Sequence, residues 1–326
     1  MPKTSFEPAT KGQRTTLHGP TMGTRWSASL DVDADVDLAV LQRDLASAVY
    51  MVDQQMSPWN SDSDLMRLNR AAVGTWVDLP DELLDVLACA LEIHSLSAGA
   101  FDPGVGALVD AWGFGAVRDT PDAEAICAAR GASSFPTDKA ISIDTAAGRA
   151  QKITPLQLDL CGIAKGYAVD CMAAVLRKHG VSHALAALDG ELRAVGKQAS
   201  GKPWAVALEH PAAGRRAAHA VLELSDLAVA TSGDYRRYLY LGGTRVAHTM
   251  DARRAAPVHN SVASVTVIAS SCMHADAWAT ALLVAGPIEG PTIAQRFGLE
   301  ALFLVRGTEG LLEIGLGTFG TARQQF

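Results

Sequence analysis

The sequence predicts a mixed α+β fold, with sheets and packed helices forming a single compact unit. Short strand-like runs alternate irregularly with helix-period runs and never settle into the strict βαβ order of a parallel sheet. The 326 residues are 48% hydrophobic and 19% charged, which supplies a sizeable core. No internal repeat or low-complexity linker divides the chain. Residues 1–15 are polar and expected to be a loose N-terminal segment, leaving 16–326 as one domain.

The elements follow in order. Residues 25–30 alternate apolar and polar as a strand does, and 36–56 carry the 3.6 period of a long helix. A polar loop over 57–64 leads into a short helical stretch around 65–69. Residues 80–97 form another helix, with Leu83, Leu84, Leu87, Ala90 and Leu91 on one face. The run 98–104 breaks it, 105–112 read as a helix ending at Gly113, and 119–131 as an alanine-rich helix. Residues 140–143 and 152–160 look like paired strands. From 164 the apolar spacing of Ala164, Ala168, Cys171, Met172, Val175 and Leu176 marks a helix. Arg177, Lys178 and His179 give it a cationic last turn and Gly180 a stop. Short strands are expected at 184–188, 192–195, 204–208, 228–231 and 246–250, and a longer one at 262–269. A helix over 272–285 stops at Gly286-Pro287, and 291–297 and 301–305 form a last helix and strand.

Composition excludes several classes. A formal charge of −7 leaves no basic footprint for nucleic acid. No window approaches the roughly 18 apolar residues of a membrane span. The five cysteines are odd in number and lack any CxxC, so neither a disulfide framework nor a zinc site is expected. The first 20 residues show no signal-peptide core and no lipobox, so a cytoplasmic location is expected. On so acidic a chain, a phosphate ligand calls for a local cation.

Four places carry chemistry. In 158–168 an apolar run ends on Asp159, turns through Gly162 and opens a helix at Lys165. Free N–H groups and an ammonium then converge as they do in pyrophosphate sites, although the same pattern also serves as plain scaffold. Asp276 and Thr280, four residues apart, share a helix face between small alanines. A carboxylate and a hydroxyl suit Mg²⁺; a solvated aspartate with a threonine bonded to its own helix turn is the alternative. His248 closes a strand, where it can act as a general base or as a structural histidine. Trp59 lies in a polar loop, either stacking on a planar ligand or capping the core edge.

Taken together, these segments resemble the ApbE family of FAD:protein FMN transferases, in the family's order and across almost the whole chain. The matching pieces are Thr21-Met22-Gly23-Thr24, Met56-Ser57-Pro58-Trp59 with Ser63-Asp64, Gly99-Ala100-Phe101-Asp102-Pro103 leading to Trp112-Gly113-Phe114-Gly115, and Asp159 to Ala168. They continue through Asp189-Gly190-Glu191-Leu192-Arg193, the run from Ala228 to Tyr235, His248 to Asp251, the run from Ala263 to Ala269, and Ala275 to Ala281. The resemblance implies Mg²⁺ on Asp276, Thr280 and the Gly162 carbonyl. It also implies FAD contacts from Met22, Trp59, Ala100, Phe101, Asp102, Asp159, Lys165 and Met250. The reaction it implies is transfer of FMN from FAD to a threonine in the flavinylation motif of an acceptor flavoprotein, with release of AMP; in that reaction His248 is the catalytic base expected from its place at a strand end.

The chain departs from the family in places. The usual Asp-Pro-Arg-Thr-Gly is Asp251-Ala252-Arg253-Arg254-Ala255 here, Trp59 replaces a common tyrosine, and Cys161 stands where a second glycine is usual. Two other functions stay open on the residues alone. One is an FAD pyrophosphatase giving FMN and AMP; the other is a non-catalytic FAD-binding protein, which has no use for a phosphate-cleaving metal site.

Overall fold

Period-2 burial builds the central sheet. Ala228 and Ala230 face one core while Val229 between them faces another, and Val267 and Ile268 divide in the same way. In the computed structural model, which describes residues 13–32, 35–132, 135–211, 217–308 and 310–321, eight strands form this sheet. Their order is Gln13–Thr21, Thr24–Val32, Ala184–Leu188, Glu191–Val195, Ala228–Gly233, Val262–Ala269, Glu300–Arg306 and Leu311–Leu316, each antiparallel to its neighbour. A side hairpin, Trp204–Glu209 with Ala218–Leu224, covers one face through Trp204, Val206 and Leu224.

Helices cover the other face. Leu38–Met56 begins at Asp37, whose carboxylate accepts the N–H groups of Ala39 and Val40. It buries Leu41, Leu45, Val49, Val52 and Met56, one stripe at helical spacing. The helices Ala164–Lys178 and Cys272–Arg296 pack against each other, and the latter lies on the strands Ala228–Gly233 and Val262–Ala269. Phe303 is fully buried in this core and meets the backbone at Gly290. Its truncation to alanine costs about 3–5 kcal/mol.

The Cys272–Arg296 helix is kinked where the sequence suggests a stop. Gly286 takes φ 81°, and Pro287 lacks the N–H that would reach the Leu283 carbonyl. Asn260 donates its Nδ2 to that carbonyl at 3.0 Å, so the freed acceptor is satisfied and the helix resumes at once.

Other differences from the expected elements have local causes. The expected strand over 152–160 ends at Lys152, because Pro155 cannot donate to a ladder. The run after it is pinned by side chains instead. Asn69 accepts the Leu158 N–H at 2.8 Å and donates to the Leu158 carbonyl at 2.9 Å, and the Asp159 N–H reaches the Pro103 carbonyl at 2.8 Å. The expected strand at 246–250 is instead Thr244–Ala247, in a hairpin with Tyr238–Leu241, followed by the short bridge Met250–Asp251. Residues 1–12 of the expected loose segment lie outside the described residues, and Gln13, Arg14 and Thr15 already belong to the first strand. Among the described residues no helix is long and apolar enough to cross a membrane.

Candidate active site

Two helices and a strand hairpin bring the candidate residues together. Asp170, on the Lys165 helix, accepts the N–H groups of Cys272 and Met273 and the Ser271 hydroxyl, and so caps the neighbouring Asp276 helix. It also pairs with Arg193 of the sheet. One turn along, the Gly166 N–H donates to Asp276 Oδ2 at 3.0 Å. A Cβ at Gly166 would lie 2.3 Å from the Cys272 carbonyl oxygen, so this approach requires glycine.

Asp276 is buried, and among the described residues no lysine, arginine or histidine forms an ion pair with it. Burial pushes its carboxyl above the ordinary aspartate range, against the Lys165 charge and the Gly166 N–H. Four residues on, Thr280 Oγ1 lies 2.9 Å from Ser232 Oγ. A Cβ on Gly162 would sit 3.2 Å from both Thr280 Oγ1 and the Phe101 ring, so the Gly162 turn closes directly over Thr280. Asp159 leads into that turn, accepting the Cys161 N–H at 2.7 Å. Burial raises its carboxyl as well, in spite of that hydrogen bond.

Lys165 donates its Nζ to Glu191 Oε1 at 2.6 Å. Burial pulls the ammonium down, but Glu191 and then Asp276 hold it above the ordinary lysine range. Glu191 is 2% exposed, and among the described residues its other oxygen, Oε2, has no hydrogen-bond partner. Glu191 stands within the motif Asp189 to Arg193, where sequence alone assigns it no role. Ser232, inside the run from Ala228 to Tyr235, and Asp170, outside every motif, also carry no role in the sequence, because each acts across more than 45 residues of chain.

A second group gathers around Arg237. Its guanidinium lies 5.6 Å from the ring centroid of Trp59, which is 50% exposed, and it reaches the Phe114 carbonyl. Its own carbonyl accepts from His248 Nδ1 at 3.0 Å, and the Phe114 ring meets the His248 ring edge-on. A carbonyl only accepts, so Nδ1 carries the proton and Nε2 keeps a lone pair. Burial, with the nearby Arg237 and Lys165 charges, lowers His248 to about 4.

The remaining expected contacts are placed as follows. Ala100 and Phe101 are buried, and the Phe101 carbonyl accepts from His94 Nδ1 at 3.1 Å. Asp102 accepts the Gly104 N–H at 2.7 Å. Met250 is buried against Leu108, Ala111 and Phe114. Met22 takes φ 43° in the two-residue turn between the first two strands and packs on the main core; among the described residues no hydrogen bond ties it to the Lys165 centre.

The donor set fits a hard cation that takes few protein ligands. Among the described residues no three His, Cys, Asp or Glu side chains converge as metal ligands, which leaves one buried carboxylate, a hydroxyl and a backbone turn. Such an all-oxygen group is of the kind that suits a hard divalent cation.

A sequence model of the ApbE family matches residues 22–303. The FAD:protein FMN transferase of Klebsiella pneumoniae is 33% identical over 299 residues, covering 91% of this chain and 85% of that protein. That of Vibrio cholerae is 34% identical over 315 residues, covering 93% and 91%. The solved flavin transferase ApbE from Vibrio cholerae superposes with a TM-score of 0.86 at 32% identity, over 95% of this chain and 99% of that one. The apo flavinyl transferase ApbE of Pseudomonas stutzeri gives 0.83 at 35% identity, over 95% and 96%.

Proposed function

The chain belongs to the ApbE family, and from that premise we propose that it moves FMN from FAD to a protein threonine at the Lys165–Asp276 centre. The observation that carries this reading is the buried Asp276 carboxylate, which among the described residues forms no ion pair and lies beside Thr280 and the Gly162 turn. Asp276, Thr280 and the Gly162 carbonyl would hold Mg²⁺. When bound, the ion neutralises charge on the pyrophosphate oxygens.

The chain's own groups do the rest. Lys165 and the N–H groups that open its helix bind the phosphates. Trp59, backed by Arg237, offers its exposed face to the flavin ring. Met22, Ala100, Phe101, Asp102, Asp159 and Met250 line the FAD site in the positions the family resemblance implies. The acceptor threonine oxygen bonds to the FMN phosphorus. The bond from that phosphorus to the bridging oxygen breaks, and AMP leaves with the oxygen. His248 Nε2 takes the hydroxyl proton; its Nδ1 is already committed to the Arg237 carbonyl, and the imidazole is neutral at pH 7. The partner is a flavoprotein that presents the threonine in a flavinylation motif.

Incubation with FAD, Mg²⁺ and such an acceptor should release AMP, and excess EDTA should stop the release. Undiminished AMP in the chelator would overturn the metal assignment.

A further inference from the structure

Lys165 stands among three carboxylates. Glu191 takes its Nζ at 2.6 Å, while Asp276 and Asp189 are near enough to act on its charge. The backbone ties Asp276 to the same turn, since Gly166, next to Lys165, donates directly to it at 3.0 Å. Left to itself, an ammonium one residue from a buried carboxylate would pair with it and occupy a cation's place. Glu191 offers the competing partner from below: its side chain is 2% exposed against 28% for Lys165. It sits on the strand Glu191–Val195, just after the turn through Asp189, whose φ of 54° swings the chain back under the Lys165 helix.

We propose that Glu191 is a positioning residue which holds the Lys165 ammonium away from Asp276, so that the Asp276 carboxylate stays open to a divalent cation. The inference rests on the metal reading of Asp276 given above. A long flexible lysine does not choose between two buried carboxylates by itself; here its Nζ lies on Glu191 Oε1, while Asp276 Oδ2 takes the Gly166 N–H. The unpartnered Glu191 Oε2 fits this role. The carboxylate is kept in place at the cost of an unmade hydrogen bond, and only the Lys165 contact offsets its burial.

The test uses Mn²⁺ as the probe and reads its binding to the ligand-free protein by electron paramagnetic resonance. Glu191→Ala should weaken Mn²⁺ binding about tenfold, the range of a direct pairwise coupling. Adding Lys165→Met should restore it, and that gain should be several-fold larger in the Glu191→Ala background than in the parent. A simple loss of negative charge predicts equal gains in both backgrounds. Where Glu191→Ala does not fold, Glu191→Gln carries the same comparison, since it keeps the side-chain length and removes the charge. Parent-like binding in the single variant, or equal gains from Lys165→Met, overturns the proposal. Asp276→Asn is measured in parallel: if it too binds Mn²⁺ as the parent does, the metal assignment is what has failed.

Discussion

The Gly166 N–H donates to Asp276 Oδ2 at 3.0 Å and locks the lysine helix to the Asp276 helix one residue from Lys165. The contact depends on a missing side chain, because a Cβ there would fall 2.3 Å from the Cys272 carbonyl and 2.8 Å from Asp276 Cβ. Backbone cannot yield as a flexible side chain can. Gly166→Ala is therefore expected to push the two helices apart, at a cost of about 1–3 kcal/mol from overpacking. Thermal denaturation should show a lower Tm, and AMP release should fall more than FAD binding does. A parent-like Tm and rate would show that the helices can part freely.

Asp276→Asn keeps an acceptor for the Gly166 N–H and removes the charge. Turnover is expected to fall by at least about 10²-fold, a loss of several kcal/mol of transition-state stabilisation, while the melting temperature stays near the parent's. Initial rates of AMP formation over a range of Mg²⁺ concentrations check this. Near-normal turnover at low Mg²⁺ would make Asp276 a structural carboxylate.

Asp170 makes three bonds to the start of the Asp276 helix and pairs with Arg193. Asp170→Ala is expected to cost about 2–4 kcal/mol, since it removes a helix cap and strands a half-buried guanidinium. Urea denaturation with an unchanged m-value would read this directly. A loss below half a kcal/mol would mean that water replaces the cap.

His248 has a worked pH dependence. Its folded-state value is lowered to about 4 from an ordinary 6.5, chiefly by burial. Between those values the unfolded chain binds more protons than the folded one. The stability tied to neutral His248 is thus complete above about pH 6.5 and is lost as pH falls towards 4. The same shift keeps the base unprotonated, so kcat/KM should show no imidazole limb near 6.5 and should decline only towards pH 4. His248→Ala should lower transfer by about 10²–10⁴-fold and leave FAD affinity unchanged. A limb at 6.5 that disappears in the variant would show that the open site raises the imidazole again.

Much of this was legible in the sequence, and the rest was hidden for identifiable reasons. Helical period gave Leu38–Met56, Asp81–Leu96 and Ala164–Lys178 to within two residues. Asp276 and Thr280 share a helix face by spacing alone, and Lys165 marked its own turn. The edge strands Gln13–Thr21 and Leu311–Leu316 were missed because neither alternates cleanly between apolar and polar. Glu191 occupies a buried strand position where alternation predicts an apolar side chain, so only its contact with Lys165, 26 residues away, explains it. Leu158 looks like a strand residue because it is bonded as one, but its partner is the Asn69 side chain.

The most direct measurement is the intact mass of a threonine-bearing acceptor after incubation with FAD and Mg²⁺. The account predicts that the acceptor gains one FMN in phosphoester linkage for each AMP released. It also predicts that EDTA, Asp276→Asn or replacement of the acceptor threonine by alanine abolishes the gain. AMP released with no change in acceptor mass would make the protein a pyrophosphatase and contradict the account; so would a mass gain that persists without the metal.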